Sequence, residues 1–169
     1  MVSGYYGNYL VRMDDKGRIA LPARLRPSRK DRNTPPQEFI ITLGFDGCVT
    51  LYPDEEWQRI LNKLETLDFT SKDYRNFSRQ LFAAAVSVTP DRQGRMLIPG
   101  HLRRQGNLDG EVLVLGSGTY IEFWNPDDYK GYLNRFGQTY EEVAENLFPK
   151  INDKPQKYDA KVDKNRELE

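Results

Sequence analysis

The feature that most constrains this chain is a repeat. Asp14 to Arg26 reads DDKGRIALPARLR, and Asp91 to Arg103, 77 residues later, reads DRQGRMLIPGHLR. Six of these thirteen positions are identical: Asp14/Asp91, Gly17/Gly94, Arg18/Arg95, Pro22/Pro99, Leu25/Leu102 and Arg26/Arg103. The pairs Ile19/Met96, Ala20/Leu97 and Leu21/Ile98 are apolar in both copies. The likeness continues downstream, where EFIITLGFDGCVTLYPDEEW from Glu38 matches the order of elements in EVLVLGSGTYIEFWNPDDY from Glu111. Each copy runs through a buried-looking strand, a Gly-containing turn, an aromatic strand, then Pro and acids that open a helix. Chance similarity between two hairpins is the competing reading. Six identities in one frame, followed by the same succession of elements, argue against it and for an internally duplicated fold.

The repeated loop has a physical logic. Three residues separate Asp14 from Arg18, and a three-residue hairpin loop favours glycine at its left-handed position, where Gly17 and Gly94 stand. Asp14 and Arg18 flank the turn as an opposite-charge pair, as do Asp91 and Arg95. An aspartate at the start of a turn also accepts loop N–H groups. Pro22 and Pro99 then end each strand and open a short helical turn.

The rest of the chain reads as a compact α+β protein of 169 residues, 38% hydrophobic and 30% charged, long enough to bury a core without covalent staples. Helices are expected from Pro53 as the first helical residue, with Trp57, Ile60, Leu61, Leu64 and Leu67 as the apolar stripe, and from Ser71 to about Ala85, with Tyr74, Phe77, Leu81, Phe82 and Ala85. A third opens at Asn125-Pro126, turning Tyr129, Tyr132, Leu133 and Phe136 inward, and a fourth follows the Thr139/Glu142 capping box. Each stripe fits core packing or the docking of a second subunit. The Pro-rich stretch 27–37 is expected as an exposed loop, and residues 149–169, with almost no apolar pattern, as a disordered tail.

Single Cys48 and His101 leave no disulfide and few metal ligands, so no metal or cofactor is expected. Cys48 fits a small buried hydrophobe, and His101 a helix-turn residue with phosphate contact as the alternative. The acids at 54–56 and at 127–128 open helices, where the dipole accounts for them. Phosphate-loop, G-x-S-x-G and HExxH motifs are missing, which disfavours an enzyme. No apolar run reaches a membrane-spanning length and no leader pattern opens the chain, so a cytoplasmic protein is expected.

Lys+Arg and Asp+Glu balance at 25 each, yet they are unevenly spread. Leu10 to Arg32 carries eight Lys/Arg against three acids, and Asp91 to Arg104 four Arg against one Asp. Basic groups thus gather on the repeated loop. A basic β-ribbon is thin enough for the major groove of DNA, and repeated ribbons add counterion-release affinity. Alone, such a patch is equally a solvated surface whose arginines only brace their aspartates.

YYGNYLVRMDDKGRIALPARLR, LYPDEEW, PDRQGRMLIPGHLR and GEVLVLGSGTYIEFWNPDDY, in this order and spacing, resemble the MraZ family of bacterial transcriptional regulators over roughly residues 5–135. The resemblance implies two tandem AbrB-like swapped-hairpin β halves that form a pseudo-dimeric β-barrel core with peripheral helices. The chain is expected to divide into a first half at 5–68, a connecting helix at 69–87, a second half at 88–136, a C-terminal helix at 137–148 and the tail. The resemblance also implies a ring-like homo-oligomer, associated with the nucleoid, that binds double-stranded DNA at direct repeats in the promoter of the division and cell-wall gene cluster, as a repressor. Arg18 and Arg95 are then the main DNA-binding residues, helped by Lys16, Arg24, Arg26, Arg92 and Arg103. Asp14 and Asp91 orient them, and Gly17 and Gly94 shape the loops. Gln93 stands where the first copy has Lys16, so the two loops are not expected to read DNA equally. The rivals are an antitoxin-like interaction module of the same fold and a carboxylate-based hydrolase.

Overall fold

A computed structural model describes residues 4–26 and 35–148. Most of the loop expected at 27–37, and the whole tail expected at 149–169, lie outside the described residues. The first repeat contains β1 (Asn8–Arg12), β2 (Arg18–Ala20), a 3-10 turn (Ala23–Leu25), β3 (Phe39–Leu43) and β4 (Val49–Pro53). Helices α1 (Asp54–Glu65) and α2 (Lys72–Ala84) lead to the second repeat. This holds β5 (Val86–Val88), β6 (Arg95–Leu97), α3 (Gly100–Gln105), β7 (Glu111–Gly116) and β8 (Ile121–Trp124). Helices α4 (Pro126–Phe136) and α5 (Tyr140–Leu147) follow.

The strands pair across the repeats. One antiparallel sheet has the order β1-β7-β8-β4-β3-β5, and β2 pairs with β6 as a separate ribbon. Exchanging each strand with its counterpart in the other copy turns the six-strand order into itself reversed, so the pairing has an internal two-fold. Among the described residues, strand β1 of the first copy bonds only to β7 of the second, and β5 of the second only to β3 of the first. The two copies are therefore interleaved. Among the described residues the pairings end at β1 and β5, so the strands form a six-stranded antiparallel sheet and a two-stranded ribbon, and no closed barrel is found.

Alternation explains the burial. In β2 and β6 only the central residues, Ile19 and Met96, are buried. They join Leu21, Phe39, Leu51, Ile98 and Phe123 in one core built from both copies. Because neither copy keeps its edge strand to itself, a chain of residues 5–80 alone is expected not to fold as a monomer. Size-exclusion and far-UV circular dichroism would check this, and a folded monomeric fragment would contradict the interleaving.

Trp57 and Leu64 of α1 and Leu81 of α2 form a smaller core with Tyr52 of β4. Pro53, expected in the first turn of α1, is instead its N-cap and the last residue of β4. Leu67 lies beyond α1 and is exposed, and Phe77 and Phe82 are only part-covered, since a helical stripe gives direction but not depth of burial. In α4, Tyr129 and Tyr132 pack on Trp124, whereas Leu133 is exposed. Phe45, in the β3–β4 turn, stacks on Phe77 beside an apolar cavity of about 420 Å³. Cys48 is buried, and burial pushes its thiol up to about 12, which fits the inert hydrophobe expected.

Residues up to Arg135 belong to one compact unit, and α5 to another. The Thr139/Glu142 capping box opens α5 as expected. No helix of the described residues is long and apolar enough to cross a membrane.

Candidate nucleic-acid interface

The repeated loops have nearly superimposable hydrogen bonding. The Asp14 N–H donates to the Arg18 carbonyl at 2.9 Å and the Gly17 N–H to the Asp14 carbonyl at 3.0 Å; the Asp91–Arg95 and Gly94–Asp91 bonds are both 2.9 Å. Gly17 and Gly94 have φ of +79° and +77°, which only glycine adopts at little cost. Asp14 Oδ1 accepts the N–H groups of Lys16 and Arg18, and its Oδ2 accepts Arg18 Nε at 2.8 Å. Asp91 does the same for Gln93 and Arg95, with Arg95 Nε also at 2.8 Å. The expected bracing is thus present in both copies. Each aspartate takes Nε alone and leaves the terminal guanidinium nitrogens for other partners.

This bracing depends on ionised carboxylates. Hydrogen bonding by the Arg95 main-chain N–H, then by its guanidinium, lowers Asp91 to about 2, and Arg18 lowers Asp14 in the same direction. A folded-state value below the unfolded one, about 3.9 for aspartate, adds stability that is complete above that pH. For Asp91 the contribution fades as the pH falls through about 2. The loops are therefore expected to hold one shape from pH 5 to 8. An NMR titration of the Asp91 carboxyl should give a midpoint well under 3, and a midpoint near 4 would contradict the bracing.

The ribbon sets where the arginines point. Arg18 lies opposite Leu97, and Ala20 opposite Arg95. Directly opposed residues share a face, so Arg18, Ala20, Arg95 and Leu97 form the solvent side, with Ile19 and Met96 beneath. Arg18 and Arg95 are diagonal neighbours, a pairing in which residues stand roughly 7–8 Å apart and their Cβ atoms somewhat closer. Their side chains are 43% and 50% exposed, enough for a partner to reach both at once. The loop tips carrying Lys16 and Arg92 leave opposite ends of the ribbon, and both residues are exposed. Arg24 is exposed on the 3-10 turn after β2.

Two expected site residues have a different setting. Arg26 and Arg103 lie against the loops of the opposite copies, at Gly94 and Gly17. His101, in α3, hydrogen-bonds the carbonyl of Ala84 at 2.9 Å and so ties α3 to the end of α2. Leu97 is a surface residue the motif reading did not single out. At 52% exposure it puts an apolar group beside both arginines, opposite Arg18 and two residues along from Arg95, and the period-2 alternation from Arg95 was the available signal. Among the described residues, no group of three or more His, Cys, Asp or Glu is placed to hold a metal ion.

The family model described as "MraZ protein, putative antitoxin-like" matches residues 5–80 and again residues 81–150. The chain belongs to the MraZ family. The two matches coincide with the two copies of the loop. Among relatives, the transcriptional regulator MraZ of Heliobacterium modesticaldum is 41% identical over 143 residues, covering 85% of this chain and 96% of that protein. The MraZ regulator of Carboxydothermus hydrogenoformans is 40% identical over the same shares. That of Thermoanaerobacter pseudethanolicus is 39% identical over 83% of this chain and 94% of its own length.

Proposed function

We propose that this protein is a sequence-specific, double-stranded DNA-binding transcriptional regulator of the cytoplasm and nucleoid, with no catalytic step. One observation carries the reading: two identically braced arginines share the solvent face of a ribbon narrow enough for the major groove. The names of its relatives support the same reading. Arg18 and Arg95 supply base or phosphate contacts, Leu97 an apolar contact of the kind that thymine methyls accept, and Lys16, Arg24 and Arg92 phosphate contacts. Asp14 and Asp91 orient the arginines and stay off the phosphates, which would repel them. The swapped pairing supports an AbrB-like pseudo-dimer as the DNA-binding unit.

We further propose self-association into a ring, so that repeated ribbons meet direct repeats in a promoter of division and cell-wall genes and repress it. Exposed Phe45, Phe77 and Phe82 support an interface of this kind. Avidity then multiplies modest contacts at each box.

Fluorescence anisotropy with the DNA upstream of the protein's own gene, against a scrambled duplex across a salt series, tests the proposal. Tight binding to the native duplex alone supports it. Equal, weak and salt-sensitive binding to both would reduce the patch to general electrostatics. The antitoxin-like reading in the family description would then take first place.

A further inference from the structure

The two loops do not stand independently. Each loop glycine is gripped from two sides by the other repeat. The Gly94 carbonyl accepts the Leu21 N–H at 2.8 Å, and the Gly17 carbonyl accepts the Ile98 N–H at 3.0 Å. An arginine covers the bare Cα of each. A methyl group placed on Gly17 would lie 2.5 Å from Arg103 Cζ, and one on Gly94 would lie 2.8 Å from Arg26 Cδ. So Arg26, in the first repeat, rests on the second loop, and Arg103, in the second repeat, rests on the first.

The grips differ. Arg26 Nε donates to the Leu21 carbonyl at 2.7 Å, which fastens the arginine to the residue whose N–H holds Gly94. Arg103 Nε is buried and has no partner among the described residues. Each loop is therefore held by one backbone bond and the packing of an arginine, but the arginine on the second loop is itself anchored by a hydrogen bond and the one on the first is not.

We propose that Arg26 and Arg103 are positioning residues that couple the two loops, each setting the shape of the loop in the opposite repeat rather than serving mainly as a phosphate contact. This rests on the DNA-binding reading above for its consequence, but not for its geometry. Both arginines bring Nε and Cζ up to the bare glycine, and Arg26 also donates through Nε; a lysine ammonium keeps the charge but has no guanidinium to fill that place. The coupling makes the pair of arginines on the ribbon one rigid reading head. It also leaves the first loop, with Lys16 at its tip, the more adjustable of the two.

Arg26→Ala, Arg26→Lys, Arg103→Ala and Arg103→Lys test this without and with DNA. In the free protein, amide exchange is compared at Gln93, Gly94 and Arg95 and at Lys16, Gly17 and Arg18. Arg26→Ala should speed exchange several-fold at the second loop and leave the first unchanged; Arg103→Ala should do the reverse. Unchanged exchange in the opposite loop would overturn the proposal. With operator DNA, positioning variants should lose affinity for the native duplex while the salt dependence keeps its slope, and lysine should not restore it. A slope smaller by about one, with affinity recovered in the lysine variants, would make these residues phosphate contacts instead. If an alanine variant fails to fold, its lysine partner carries the same exchange comparison. If the wild type shows no specific DNA binding, the exchange arm still decides on the coupling, while the function proposed above falls.

Discussion

Arg18→Ala is expected to remove specific DNA binding from a protein that remains folded, and Arg18→Ala with Arg95→Ala to leave only weak, sequence-independent attraction. The folded state should tolerate the change, because the Asp14–Arg18 pair is a solvent-exposed bridge and such pairs contribute little. The main-chain bonds from Lys16 and Arg18 to Asp14 persist without the guanidinium. Binding suffers more, since losing a base-reading arginine costs about 1–3 kcal/mol at each site and a ring would repeat the loss in every subunit. Anisotropy on the native duplex, with circular dichroism on the same sample, separates the two effects. A folded variant that binds as tightly as the wild type would remove Arg18 from the site.

The largest expected effect on stability is at Phe123. It is fully buried in β8, where it pairs with Val49 of the first copy and Val114 of the second. Truncation to alanine is expected to cost about 3–5 kcal/mol, the usual range for a buried phenylalanine. The interleaving adds a qualitative expectation. Damage in the second copy should lower one cooperative transition for the whole sheet, because β4 and β8 are neighbours at its centre. Urea unfolding followed by fluorescence and circular dichroism checks this. Two separate transitions, with the first copy unaffected, would contradict it.

Much of the site could be read from the chain because the loop is written twice. Asp14, Gly17 and Arg18 fall at spacings that a three-residue turn requires, and the same spacings recur at Asp91, Gly94 and Arg95. Local chemistry of that kind survives in any tertiary setting. The pairing of strands does not. The alternation in NYLVR looks the same whether β1 bonds to its own copy or to β7, so the interleaving is set by long-range fit and not by period. The settings of Arg26 and Arg103 were hidden for the same reason, since each meets a glycine far away in sequence. Leu97 was hidden differently: it stands between Met96 and Ile98, both buried, and hydrophobicity alone gives the three one label. Exposed Leu133 in α4 shows the same limit for helices.

We propose that the two loops and the ribbon between them are the surface that meets DNA. Titrating the protein with a short duplex from its own upstream region, while following backbone amide resonances, tests it most directly. Shifts are expected at Lys16, Gly17, Arg18, Gln93, Gly94, Arg95 and Leu97, saturating together, with α1 and the apolar cavity beside Phe77 unmoved. Shifts confined to that cavity and its helices, with the loops silent, would contradict it.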